Sequence, residues 1–144
     1  MGHKIKILII SSENFNNTYK LKEILYKLSK RNDVIVTTFG RDEHYINKYV
    51  WKNAELMNLE WKEFPYYHKG YNVDCAITDR WKFTKSLPTP MYFNIRDRDA
   101  IDSVDKVFIF TTKDEINNSK NKIHKLYKQI IRRFDITKCN LFYN

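Results

Sequence analysis

Glycine, proline and cysteine are all scarce in this chain: three glycines, three prolines and two cysteines in 144 residues. So little glycine and proline excludes a flexible or proline-rich linker. It also leaves no Gly-x-Gly-x-x-Gly fingerprint and no Walker loop, the two glycine-dependent phosphate cradles. Cys75 and Cys139 make neither a CxxC pair nor a disulfide framework, and they read as buried or idle thiols. No apolar run approaches the roughly 18 residues that a membrane helix needs. The stretch 5–10 is too short for a signal-peptide core, and no small-residue cleavage site follows it. These absences lead to a cytoplasmic protein with no membrane partner. His3, His44, His68 and His124 are scattered and do not reach metal-ligand spacing with the cysteines, so no metal and no other cofactor is expected. There is no Gly-x-Ser-x-Gly nucleophile elbow either.

What is present is a hydrophobic content of 42% and an aromatic content of 15%, enough for one well-packed globular domain over residues 1–144. Heavy use of Lys, Asn, Ile and Tyr is the composition of AT-rich coding genomes, as in many viruses (phages included) and low-GC bacteria. The formal charge of +9 is unevenly spread. Residues 119–134 carry Lys120, Lys122, Lys125, Lys128, Arg132 and Arg133 with no acid at all. Residues 18–31 add Lys20, Lys22, Lys27, Lys30 and Arg31 against Glu23. Such faces attract polyanions by counterion release. Lysine is also the default surface residue, so solvated helix faces are the bland alternative.

The hydrophobic pattern alternates between strand and helix. Residues 4–11 form a continuous apolar strand of the kind buried on both faces of a parallel sheet. Residues 18–31 read as a helix with Leu21, Ile24, Leu25 and Leu28 inward and Thr18 as N-cap. A second strand spans 33–39, a helix 42–58 and a short strand 60–64 ended by Pro65. Residues 65–90 are irregular, with Tyr66, Tyr67, His68, Tyr71, Trp81 and Phe83 interleaved with Lys69, Arg80, Lys82 and Lys85, and a short extra strand at 73–78. Loops of this length are usually functional or partly disordered; aromatics between cations suit stacked bases or a protein interface, the bland alternative being that they anchor the loop to the sheet edge. A helix over 91–104 leads to a fully apolar strand at 106–111, a polar loop at 112–118, a helix at 119–134 with Ile123, Leu126, Tyr127, Ile130 and Phe134 inward, and a last strand at 137–143. The expected fold is α/β, a Rossmann-like three-layer sandwich with a mostly parallel five-stranded sheet and helices on both faces. Ligands of such sheets bind at the carboxyl ends of the strands.

Three local motifs carry a family resemblance. The first strand ends in Ser11-Ser12-Glu13-Asn14-Phe15. The second leads through Thr37-Thr38-Phe39-Gly40-Arg41-Asp42 to a helix that ends before Trp61-Lys62-Glu63-Phe64-Pro65. Then Ile95-Arg96-Asp97-Arg98-Asp99-Ala100 precedes the apolar strand 106–111. In this order they resemble the SLOG superfamily, and its YspA-like branch most of all, over most of the chain. That family has a Gly-Ser-Arg-like first turn and a glycine-rich second loop. Here the first loop has no glycine and carries Glu13, the second keeps only Gly40, and the loop after the fourth strand is Thr112-Lys113-Asp114-Glu115.

The resemblance implies a nucleotide or a nucleotide-derived small molecule as ligand, with pairing of two copies through helices as in related domains. Phosphate needs hydroxyls, backbone N–H groups and fixed cations. The candidate ligand-binding residues are therefore Ser11, Ser12, Glu13, Asn14, Thr38, Gly40, Arg41, Arg96, Arg98, Thr111 and Thr112. Without the first glycine, close cradling of phosphate is lost, and Glu13 and Asn14 suit a ribose hydroxyl or a base edge. The bland alternative has the hydroxyls satisfying loop backbone and the arginines pairing with Asp97, Asp99 and Asp102, as the Arg96–Asp99 and Arg98–Asp102 spacings allow. Enzymes of the superfamily cleave N-glycosidic bonds with a carboxylate and an arginine. Glu13, Asp42, Asp97 and Asp114 are the acids at hand, but none lies in a catalytic motif, so no catalytic residue is assigned. The expectation is sensing or sequestration rather than turnover, with viral counter-defence as the analogy. The alternatives are a nucleic-acid-binding protein using Lys120, Lys122, Lys125, Lys128 and Arg132, and a protein-interaction module on a degenerate nucleotide fold.

Overall fold

The computed structural model of the chain describes residues 4–40, 44–64 and 97–144. Arg41, Asp42, Arg96, Cys75 and the whole aromatic-basic segment 65–90 lie outside the described residues. Five parallel strands form one sheet: β1 (Ile5–Ser11), β2 (Val34–Phe39), β3 (Glu60–Phe64), β4 (Lys106–Thr111) and β5 (Cys139–Tyr143). Their order is β3-β2-β1-β4-β5, the doubly wound arrangement in which the chain reverses direction across the sheet between β1 and β4. The fold is thus an α/β Rossmann-like sandwich, with a sheet that is parallel throughout.

The apolar run of β1 is continuous because both of its faces are buried. Ile7 and Ile9 pack on one side with α1 (Thr18–Ser29) and α2 (Tyr45–Leu56). Leu8 and Ile10 pack on the other, against the helical residues 97–103 (α3), the short α4 (Lys113–Asn117) and α5 (Lys122–Arg133). Strands β2 and β4 contribute Val34 and Val36 to the first core and Val107 and Ile109 to the second. The edge strands β3 and β5 are only half-buried. The exposed Glu60 and Lys62 on β3 discourage a further strand from adding there.

Helix ends depart from the sequence reading because local partners set them. The N-cap of α1 is Asn17, whose side chain accepts from the Lys20 N–H, and Thr18 is the first helical residue. Helix α2 starts three residues later than expected, at Tyr45, because the His44 Nδ1 accepts from the Ile46 N–H and caps it. It ends in a Schellman motif: the Asn58 N–H bonds to the Glu55 carbonyl and the Leu59 N–H to the Ala54 carbonyl. Asn58 sits at φ 56°, the left-handed conformation that a glycine would usually supply and asparagine tolerates.

Three further differences concern the second half. The polar loop expected at 112–118 holds the helix α4, with Thr112 as N-cap. Helix α5 begins at Lys122 rather than 119, capped by Asn121. A 3-10 turn, Ile136–Lys138, shortens the last strand. Phe134, expected inward, is 39% exposed at the end of α5. No helix among the described residues is long and apolar enough to cross a membrane.

Candidate functional site

The reversal point of the sheet brings the ends of β1 and β4 side by side, with Ser11 paired to Phe110. Ser12, Asn14, Thr111 and Thr112 therefore meet at one place on the rim, as the sequence predicts. The donors of Ser12, Asn14 and Thr112 converge on Glu115, which sequence reasoning did not single out. Its side chain is 5% exposed. Its Oε1 accepts from the Ser12 hydroxyl at 2.5 Å and from the Thr112 hydroxyl at 3.0 Å, and its Oε2 accepts from the Asn14 N–H at 3.2 Å. Thr112 in return accepts from the Glu115 N–H at 3.2 Å and so caps α4. The Thr-x-x-Glu spacing of residues 112–115 was the available signal.

The carboxylate of Glu115 thus stands where the donors of a phosphate cradle would converge. It supplies the acceptor oxygens that a phosphate would bring, on the same kinds of donor. The remaining candidate hydroxyls turn onto backbone. Ser11 donates to the Ser12 carbonyl and Thr111 to the Thr112 carbonyl. Two further N–H groups of the β1–α1 loop, those of Asn16 and Asn17, are taken by the Asn144 side-chain oxygen at 3.1 and 3.3 Å. Lys20 donates from α1 to the Tyr143 carbonyl, fastening the same corner. Phe15 plugs the loop from below. It is fully buried and meets Phe110 edge-on, with centroids 5.4 Å apart, while its carbonyl accepts from the Tyr45 hydroxyl.

Around this closed corner, Glu13 and Asn14 are exposed. His44 lies beside them. Burial pushes its pKa below the ordinary 6.5, against the weaker opposing pull of Glu13 and Glu115. Because Nδ1 accepts from the Ile46 N–H, the neutral ring carries its proton on Nε2. Thr38 is buried at the end of β2, and Gly40 is buried beside it, with its carbonyl accepting from the Asn47 side chain at 2.9 Å.

The charged candidates gather elsewhere. Arg98 lies on α3 and lines a cleft of about 900 Å³ between α3 and α5, together with Lys122, Lys125, Arg132 and Arg133. The small-ligand arginine and three of the nucleic-acid candidates are therefore neighbours. Lys120 and Lys128 are exposed but do not line the cleft. The Arg98–Asp102 pairing that the spacing allows is replaced by Arg133, whose guanidinium donates to Asp102 at 2.8 Å. Asp97, 5% exposed, lies 4.0 Å from the Lys122 ammonium. Of the acids considered for glycosidic chemistry, Glu13 and Asp114 are exposed, and Asp97 belongs to the cleft. Cys139 is buried, which pushes its thiol up to about 12 and keeps the nucleophilic thiolate negligible near neutrality.

The strand order and reversal point define the class: a doubly wound parallel α/β domain. Comparison of the chain with protein-family models, with curated proteins and with solved structures gives no match.

Proposed function

We propose that the protein binds a nucleotide or a nucleotide-derived small molecule at the carboxyl-end rim of its sheet, and senses or sequesters it rather than turning it over. The observation that carries this reading is the β3-β2-β1-β4-β5 order, whose reversal point between β1 and β4 is where ligands of doubly wound sheets sit. The glycine-free β1 loop and the position of Glu115 argue for recognition through the nucleoside end of the ligand. Glu13 and Asn14 are exposed there and offer a carboxylate and a carboxamide to ribose hydroxyls and a base edge. The SLOG-like order of motifs points to the same ligand class.

Thermal shift against nucleosides, nucleotides, cyclic nucleotides and ADP-ribose tests the proposal. A compound at several hundred times its Kd stabilises the fold by about 3–4 kcal/mol, an upward shift on the order of 10 °C for a domain of this size. The expected hit is lost in the Glu13→Ala/Asn14→Ala variant. No shift with any compound, or a shift that this variant leaves unchanged, overturns the reading.

A further inference from the structure

We propose a second site, distinct from the rim: the cleft between α3 and α5 binds single-stranded nucleic acid. Helix α5 supplies one wall of this cleft. Residues 119–134 contain no acid, so the helix has a single-sign outer face. Lys122, Lys125 and Arg132 recur at helical spacing on one side of it and line the cleft, while Arg133 beside them is paired to Asp102. Arg98 faces them from α3, on a different segment of the chain. Arg98 thus adds a cation from a second element, between the exposed Asp99 and the buried Asp97, whose carboxylate also lines the cleft beside Lys122. The floor between these walls is apolar, made by Ile101, Leu126 and Ile130.

This combination selects among polyanions. Phosphodiesters need cations along a track, and bases need an apolar or π-bearing surface once unstacked. The cleft offers the first on its walls and the second on its floor, with the half-exposed Phe134 ring at its end. Its volume of about 900 Å³ is at the upper end of the roughly 300–1,000 Å³ usual for small-ligand pockets, room for a short run of nucleotides. A duplex keeps its bases stacked inside and cannot use the floor. A planar anionic membrane meets the rims of a cleft and not its interior. An acidic peptide satisfies the walls but leaves the floor to chance.

The test is fluorescence anisotropy with a labelled dT12 oligonucleotide and the full chain. With about four phosphates engaged, affinity falls by about 50-fold between 50 and 200 mM salt, from a slope near −0.7 per contact on single strands. Lys125→Glu and Arg132→Glu, both at exposed positions, each weaken binding at least tenfold at 100 mM salt, with unchanged thermal unfolding. The charge-matched control Lys22→Glu on α1 changes it less than threefold. The rim variant Glu13→Ala also leaves it within threefold, which separates this site from the small-molecule one. Absence of dT12 binding, equal weakening by Lys22→Glu, or tighter binding of a duplex, of poly-glutamate or of phosphatidylserine vesicles than of dT12 overturns the proposal.

Discussion

Replacing Glu115 by alanine would strand the Ser12 and Thr112 hydroxyls and the Asn14 N–H, three donors that now end on one buried carboxylate. A buried group left without its partner costs roughly 1–3 kcal/mol. Some of these donors regain water, so Glu115→Ala should lower stability by about 2–3 kcal/mol, and Glu115→Gln, which keeps one carbonyl acceptor, by less. Urea unfolding with an unchanged m-value reads both, and equal costs for the two variants would contradict the account. His44 has its own signature. Its folded pKa is depressed by burial below 6.5, so the unfolded chain takes up the proton first. Stability contributed by the neutral ring is complete above about pH 6.5, declines as pH falls towards the depressed value and levels off beneath it. His44→Asn keeps a side-chain acceptor for the Ile46 N–H and removes that decline. Comparing the urea midpoints of the two proteins from pH 7.5 to 5 checks it. Neither residue stood out in the sequence: Glu115 takes its role from Ser12, 103 positions away, and His44, which caps Ile46 two residues on, owes its shift to burial by the fold.

At the scale of elements, the corner where α1 begins depends on the last strand. Asn144 accepts from two N–H groups at the helix start and Lys20 reaches the Tyr143 carbonyl. Asn144→Ala should therefore cost about 1 kcal/mol, as loss of a helix cap does, and should raise amide exchange at Asn16 and Asn17 while leaving α2 and α5 unchanged. A uniform rise across all helices would refute that local role. The strands were legible almost to the residue. β2 and β4 match the apolar runs bounded by polar loops, since a strand buried on both faces needs an unbroken run of apolar side chains, and the edge strand β3 matches the short span that ends before Pro65. Helix ends were less so. Caps at Asn17, His44 and Asn121 depend on which side chain reaches which N–H, and α4 spans too few residues to display a helical period. Its N-cap Thr112, with Glu115 after it, was the one trace it left in the sequence.

For the whole molecule, alternation of strand and helix sufficed to predict a parallel sandwich, because crossovers between parallel strands are right-handed and place helices on both faces. The gathering of the β1 and β4 ends at one rim followed from that. What did not follow was the closing of the rim by the chain's own carboxylate, or the grouping of Arg98 with Lys122, Lys125 and Arg132. Periodicity places Arg98 and the α5 cations on their helices. It does not say that α3 and α5 share a face of the sheet.

The central position of β1 has a consequence during synthesis. Its partners arrive at very different times: β2 begins at Val34 and β4 only at Lys106, 95 positions after β1 ends at Ser11. At roughly 5–20 residues per second on the ribosome, one edge of the most apolar strand waits on the order of ten seconds for its neighbour. Over that interval the nascent chain presents an open row of strand hydrogen-bonding groups flanked by isoleucine and leucine, the surface to which chaperones and other half-made chains are drawn.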